Sequence, residues 1–363
     1  MPIGPGGGVL ERAAASDGDG AGRQQPAGEA PWFRRRPSRR SVRLLLGAIW
    51  LADGILQLQP SMFSRSFALG TLAGSAHGQP AWVAGGVTAM ARFLAPHIAA
   101  WNVLFALTQL AIGACLVLNW AVRPALVASI GWSFSVWWFG EAFGGLFSGS
   151  ASILTGAPGA VMLYGLLALL VWPRQEADGG AAHEGDQSGR SATRGRLVWA
   201  ALWVGGALFQ LLPSNRPDGA ISAAISGAAA GEPRVFAALG DATARLVGTH
   251  GAAVGIVLAV TEAAVGIGAL RRRPDAALAV GALLSLGFWV VGQDLGGILT
   301  GTGTDPNTGP LFVLLAVALW QGAPPVATGR QDLAREDRMP VMSRPPRARQ
   351  RATVAGSLGS RPT

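Results

Sequence analysis

Long stretches without charged residues recur along the chain, and they determine its predicted architecture. Lipid offers no water to the backbone or to a charge, so a helix that crosses it needs roughly 17 to 25 mostly apolar residues. Eight segments fit this pattern, and they cover approximately residues 44–59, 98–119, 125–147, 158–172, 197–212, 251–270, 276–299 and 309–323. The first, fourth, fifth and eighth are short and need their flanks or a thinner bilayer to cross. The pattern predicts an all-α integral membrane protein with about eight transmembrane helices.

The two halves of the chain match each other at a nearly constant spacing. Segment 50–60 resembles segment 203–213, an offset of 153 residues that persists for about sixty residues without a gap. Later matches join segment 140–149 to 292–301 and Pro158 to Pro310. Because the agreement continues through polar loops, we interpret it as a tandem duplication. Two parallel repeats of four helices each are expected, related by an axis along the membrane normal.

Changes in composition divide the chain into five parts. We predict a disordered, Arg-rich cytoplasmic tail over 1–40 and a first transmembrane repeat over 41–173. A flexible cytoplasmic linker, rich in Gly, Asp and Ser, is expected over 174–195. The second repeat covers 196–323, and a second disordered cytoplasmic tail covers 324–363.

The arginines indicate the orientation of these spans. All 29 basic residues are Arg, and 24 of them fall on one side if the N-terminal tail is inside. The outer loops keep only Arg65, Arg92, Arg216, Arg234 and Arg245. We therefore expect a multi-pass protein of the cell (plasma) membrane with both termini in the cytoplasm and the lipid bilayer as its partner. The first 40 residues contain no apolar core of a signal peptide.

Composition narrows the possible functions. The net charge is +9, but the arginines lie in tails and short loops and not on a face with exposed aromatic residues, which argues against nucleic-acid binding. A single cysteine, Cys115, excludes an intramolecular disulfide. No phosphate-binding loop, nucleophile elbow or metal-ligand spacing such as H-x-x-H occurs, so we predict no metal site and leave the cofactor unassigned. The Asp-Pro segment 304–309 is typical of a turn.

Polar residues within or beside the predicted spans are the candidates for function, because they are costly in lipid. Six of them collect at the predicted outer level: Gln57, His97, Glu141, Gln210, His250 and Asp294. The two histidines are interfacial hydrogen-bonding residues, or a symmetric pair that binds a metal or cofactor or relays protons.

Arg92 and Arg245 each precede a histidine by five residues, on stretches that are predicted to form helices on the outer surface. They either anchor the outer loops or meet Glu141 and Asp294, as two ion pairs or as an anion site.

Two carboxylates lie deeper and break the symmetry of the repeat. Glu262 is matched by the neutral Gln109, and Asp53 is matched by Gly206. A carboxyl group near the middle of a bilayer is either protonated and simply hydrogen-bonded, or it handles protons or cations. Asp53 and Glu262 are therefore the deepest candidates for an ion site.

The stretches RLLLGAIWLADGILQL (Arg43 to Leu58) and QLAIGACLVLNWAVRPA (Gln109 to Ala125) resemble the DoxX/DoxD-like group of small four-helix bacterial membrane proteins. In that group an early glycine-bearing span and a later G-x-x-L-x-L turn before an Arg recur. The resemblance implies a four-helix membrane unit and, for some members, quinone-linked sulfur oxidation. It implies no particular site residues here.

Three functions stay open at this point. The first is the binding or transport of a small molecule or ion at the repeat interface near the outer face, where transporters commonly bind. The second is a membrane subunit of a quinone-linked redox system. The third is a non-catalytic assembly partner, with protein partners unassigned.

Overall fold

Helices account for the architecture throughout the residues that the computed structural model describes, which are 37–173, 181–229 and 231–321. The helices in this part of the chain are α1 (Arg39–Leu56), α2 (Ala81–Leu94), α3 (Ile98–Val117), α4 (Val122–Phe139), α5 (Ala160–Leu170), α6 (Ala181–Gln210), α7 (Ala220–Ala228), α8 (Arg234–Val247), α9 (Gly251–Gly268), α10 (Asp275–Val291) and α11 (Thr308–Leu319). No strand occurs among them. The all-α fold is therefore confirmed.

Each of the eight predicted spans overlaps one of these helices, but the helices differ in length. By length and composition, two stretches suffice to cross a membrane. They are Ala81–Val117, which contains α2 and α3, and Gly251–Gly268, which is α9. The pair Asp275–Val291 and Asp294–Thr300, bent by 44°, makes a third if it is one span. Within the described residues, two or three helices thus meet the requirements of a crossing, and eight crossings stay a prediction.

The predicted linker is helical over most of its length. Helix α6 begins at Ala181, so residues 181–195, which we expected to be flexible, continue the helix of the following span. No proline stands between 174 and 210 to interrupt it. Residues 174–180 lie outside the described residues, as do 1–36 and 322–363, which contain nearly all of the two predicted tails.

Close helix contacts recur in the two halves at glycines. A Cβ at Gly113 of α3 would lie 2.8 Å from the Gly47 carbonyl oxygen of α1. A Cβ at Gly266 of α9 would lie 3.0 Å from the Ala200 carbonyl oxygen of α6. Both contacts require glycine, because the helix backbones approach so closely that no side chain fits between them.

Helices α5 and α11 lie in contact with each other and join the halves. The Trp50 ring of α1 lies 4.4 Å from the ring of Tyr164 on α5, and Trp203 of α6 lies 5.4 Å from Phe312 on α11. Tyr164 and Phe312 are therefore equivalent, at a spacing of 148 residues.

This register corrects one sequence match. The indole of Trp137 donates to the Pro158 carbonyl at 2.7 Å, and that of Trp289 donates to the Pro306 carbonyl at 2.7 Å. Pro306, and not Pro310, is thus the counterpart of Pro158. The reason is a shorter loop in the second half, since Pro306 follows Gly301 by five residues whereas Pro158 follows Gly149 by nine.

Candidate functional site

Left-handed turns follow α4 and α10 at the predicted outer end of the bundle. The φ angles of residues 142–145 are 47°, 60°, 60° and 75°, and those of residues 294–297 are 57°, 48°, 76° and 64°. A left-handed residue other than glycine costs roughly 1–2 kcal/mol, so four such residues must be held by their surroundings. The turns direct the chain away from the helix axes, and the space between the two turns becomes a cavity.

The residue before each turn caps the next helix. The Glu141 carboxylate oxygen Oε1 accepts from the Val161 amide at 3.3 Å, at the start of α5. The Gln293 oxygen Oε1 accepts from the Gly309 amide at 3.0 Å, at the start of α11. A helix N-terminus favours such acceptors, and a negative charge most of all. Gln293, and not Asp294, is therefore the counterpart of Glu141.

A cavity of about 600 Å³ lies between these turns. Three carboxylates line it, those of Glu141, Asp294 and Asp305, together with five threonines, Asn307 and seven glycines. Among the described residues that line it there is no arginine and no histidine. A second space of about 380 Å³ adjoins it and shares Thr71 and Thr302 with it. The cavity is thus acidic and rich in hydroxyl groups.

Asp305 stands in the predicted turn. Its Oδ1 accepts from the Asn307 amide at 2.8 Å and its Oδ2 accepts from the Thr304 hydroxyl at 2.9 Å. The segment is a turn, as expected from its sequence, and it also presents a carboxylate to the cavity. Burial raises the pKa of Asp305, although its two hydrogen bonds oppose the shift.

Glu232, which sequence reasoning did not single out, interacts with Asp294. Burial of its carboxylate, reinforced by that neighbouring acid, raises the pKa of Glu232 to about 7. Two interacting carboxyl groups repel each other when both are ionised, so such a pair tends to retain a proton or attract a cation.

The predicted candidates in the first span pair within the bundle. The Gln57 side chain donates to Asn102, and the Asn102 amide donates to the Gln57 carbonyl at 2.8 Å. The Tyr164 hydroxyl donates to Asp53. These side chains are almost wholly buried, with Asp53 2% exposed and Gln57 3% exposed.

Gln210, the counterpart of Gln57, has different partners. It donates to Glu262 at 2.9 Å and to Ser152 at 3.2 Å. The difference follows from the sequence, because Gly255 replaces Asn102 and a carboxylate replaces Gln109. Glu262 is 0% exposed, and its Oε2 has no hydrogen-bond partner within the described part of the chain.

The outer arginines do not meet the carboxylates. Arg92 lies in the last turn of α2 and Arg245 in the last turn of α8, helices that pack against α4 and α10. Both arginines are exposed, and no ion pair joins either of them to Glu141 or Asp294 in the described part of the chain. The predicted ion pairs are thus absent, because the side chains leave the helices on the exposed face.

His97 and His250 are likewise exposed, one residue before α3 and α9. Neither lines the cavity. No group of three or more His, Cys, Asp or Glu side chains suited to a metal ion occurs among the described residues.

The halves exchange loop contacts around the cavity. The Gln293 amide donates to the Ile153 carbonyl at 3.0 Å, so the 151–155 loop of the first half packs into the second. In the other direction, Gln59 donates to the Gly303 carbonyl at 2.9 Å, and Ser61 donates to the Gly301 carbonyl at 2.6 Å. Loops from both halves therefore form the cavity wall.

The opposite end of the bundle is basic. Arg39 donates to the Trp172 carbonyl at 3.2 Å, and Arg196 donates to the Arg271 carbonyl at 3.3 Å. Arginines at the carboxyl ends of helices complement the partial negative charge there. The acidic cavity and these arginines thus occupy opposite ends.

Tyr164 and Asp305 were not among the candidates from the sequence. Tyr164 is the only tyrosine of the chain, and phenylalanine stands at its counterpart, which is a signal that the alignment of the halves contains. The sequence predicted only a turn at Asp305 and no role in a site.

No family model matches the chain, and no curated protein or solved structure matches it. The DoxX-like resemblance stays a prediction.

Proposed function

We propose that this chain is a multi-pass plasma-membrane protein that binds a small organic cation in its outer acidic cavity, as the first step of transport. In this proposal eight helices cross the membrane as two tandem repeats of four, and both termini lie in the cytoplasm. The observation that carries it is the cavity of about 600 Å³ with three carboxylates and, among the described lining residues, no basic side chain.

Large apolar side chains on the outside of the helices support residence in lipid. Ile55, Leu107, Leu208 and Val260 are between 58% and 65% exposed. These side chains come from α1, α3, α6 and α9, so the apolar surface extends over both halves. A surface of this kind is unfavourable in water and matches the acyl chains of a bilayer.

The short helices α5 and α11 fit a crossing if their neighbouring loops complete it. Residues 151–154 and 156–159 are buried, and their carbonyl groups accept from side chains such as Gln293 and Asn215. Non-helical backbone is tolerated at membrane depth only where protein covers it in this way. These loops would thus complete the part of the crossing that the short helices α5 and α11 do not reach.

The charges at the two ends support the orientation. The arginine-rich end carries the short loops that the positive-inside rule assigns to the cytoplasm, and the cavity then opens toward the exterior.

The chemistry of the cavity favours an organic cation as ligand. Its volume lies within the roughly 300–1,000 Å³ typical of small-molecule sites and far exceeds the volume of a bare metal ion. Ammonium groups donate to carboxylates in strong charge-assisted hydrogen bonds, and the threonine hydroxyls accept further ones. A quinone, which the DoxX-like alternative requires, needs a mainly apolar pocket, and this cavity is polar.

Calorimetric titration of the purified full-length protein in lipid nanodiscs tests the proposal. Propylammonium is expected to bind, and propanesulfonate, an anion of similar size, is not. Asp305→Asn removes one charge-assisted interaction and is expected to weaken propylammonium binding roughly tenfold.

Asp275→Asn is the matched control, because Asp275 accepts from Gln321 at the basic end, away from the cavity. Its affinity for propylammonium should equal that of the unmodified protein. Equal binding of the sulfonate, or an unchanged affinity in Asp305→Asn, would contradict the proposal.

A further inference from the structure

A buried acid of the first half is hydrogen-bonded to helix α5, whose first residue, Ala160, lines the cavity. Asp53 is 2% exposed, and one of its carboxylate oxygens accepts from the Tyr164 hydroxyl. The other oxygen, Oδ1, is buried and has no hydrogen-bond partner in the part of the chain that the structure describes. One of the two carboxyl oxygens is therefore available to carry a proton.

Helix α5 links this acid to the cavity wall. Glu141, which lines the cavity, caps α5 at Val161, and Tyr164 follows three residues later, a rise of about 4.5 Å. The Asp53 carboxyl group also interacts electrostatically with Asp305 and Glu141, two of the three carboxylates of the cavity. Asp53 is thus connected to the cavity wall through Tyr164 and the first turn of α5.

Among the described residues, the groups that interact with Asp53 provide no positive charge. Those with which it interacts are Tyr164 from α5, Glu141 after α4 and Asp305 before α11. The buried positions of α3, which packs against α1, are all uncharged, as are those of α11. An ionised carboxylate without a cation is strongly disfavoured in such surroundings.

The second half lacks this arrangement at every position. Gly206, Phe312 and Gln293 occupy the places of Asp53, Tyr164 and Glu141, so no member of the set ionises. Its own buried acid, Glu262, is held by Gln210. The link between a buried acid and the cavity is therefore a property of the first half, and Glu262 is a natural control.

We propose that Asp53 carries a proton while the cavity is empty and releases it when a cation enters, so that the cation is bound in exchange for a proton. The inference rests on the proposed cation binding. In the exchange the O–H bond of the Asp53 carboxylic acid breaks, the proton leaves through the cavity to water, and the cation balances the charge of the carboxylate. No oxidant, reductant or other reactant is needed.

Proton release on binding tests the inference. Full-length protein in nanodiscs is titrated with propylammonium chloride in a weakly buffered solution that contains a pH-indicating dye, and binding is measured in parallel by calorimetry. The unmodified protein should release at least one proton per bound cation, and its affinity should rise with pH. Asp53→Asn should release about one proton fewer per bound cation, and its affinity should rise less steeply with pH.

Glu262→Gln is the matched control and should release protons as the unmodified protein does. Binding without proton release, or the same release from Asp53→Asn, would overturn the inference and leave the cation site intact. Failure of the unmodified protein to bind propylammonium would instead contradict the proposed function.

A second variant covers the case that Asp53→Asn does not fold. Tyr164→Phe keeps the acid but removes a donor to its ionised form, so the pH dependence of binding should move to higher pH. An unchanged pH dependence would argue against a proton on Asp53.

Discussion

Glu262 and Gly206 face each other across the contact between α6 and α9, where the Glu262 oxygen Oε2 lies 2.9 Å from the position of a Cβ on Gly206. In the first half the equivalent residues are Gln109 and Asp53, so the acid stands on the opposite helix. Each half thus buries one carboxyl group at this contact, and Gly206 leaves the space that the Glu262 side chain needs.

Gly206→Ala should destabilise the protein. The added methyl group would collide with the Ile153 side chain and crowd Glu262, and overpacking of this kind costs roughly 1–3 kcal/mol. The measurement is denaturant unfolding in detergent micelles. The control is Gly205→Ala, because a Cβ at Gly205 meets no atom within 4 Å, and it should leave stability unchanged or slightly raised. Similar losses in both variants would disprove the close contact.

Gly144→Ala should be more damaging than Gly149→Ala. Both glycines have positive φ angles, 60° and 78°, so both variants carry a backbone cost of roughly 1–2 kcal/mol. Only at Gly144 would the new Cβ also collide with the Pro158 carbonyl, whereas nothing lies near a Cβ at Gly149. Thermal unfolding of the two variants checks the order, and the reverse order would contradict the packing of the left-handed turn.

Trp137→Phe and Trp289→Phe should cost similar amounts of stability. Each removes an indole hydrogen bond of 2.7 Å to a proline carbonyl, worth roughly 1 kcal/mol, and leaves that carbonyl without the donor. Trp138→Phe is the control, since the Trp138 Nε1 has no hydrogen-bond partner within the described residues. Unfolding midpoints are compared, and the control should lose less stability than the other two.

The electrostatic interaction between Glu232 and Asp294 should make stability depend on pH. The folded pKa of Glu232 is about 7, above its ordinary value of 4.5, so the folded state binds a proton more tightly than the unfolded state. The resulting stabilisation is complete below the ordinary value and is lost as the pH rises through about 7. Glu232→Gln should flatten this part of the curve of unfolding midpoint against pH.

Asp241→Asn, on the exposed side of α8, is the control for that experiment and should keep the slope. If the pH dependence of the unfolding midpoint persists in Glu232→Gln, it arises from other titratable groups and contradicts the prediction.

Cysteine labelling can test the orientation, because Cys115 is the only cysteine. In a Cys115→Ser background, Gly85→Cys places a thiol on the exposed side of α2, and a membrane-impermeant maleimide should label it on intact cells. Arg272→Cys, at the basic end, should react only after permeabilisation. Labelling of position 85 from the cytoplasm alone would reverse the proposed topology.

The sequence by itself determined the helices and most of the correspondence between the halves. Uncharged runs of helical length, and matches such as Trp50 with Trp203, are patterns along the chain that can be read without knowing the fold. That information placed Asp53, Gln210 and Glu262 on helices that the structure contains and Gln57 at the end of one, and it marked Asp53 and Glu262 as breaks in the predicted repeat.

Only the tertiary structure decided which polar groups meet. Asp53 and Tyr164 are 111 residues apart in the chain, and Glu141 lines the same cavity as Asp305 although they belong to different halves. Hydrophobic periodicity specifies which side of a helix is buried but not which helix covers it. The arginines show the same limit, because charge and spacing left open whether Arg92 meets Glu141 or anchors the outer loop, and the structure places Arg92 on the exposed side of α2.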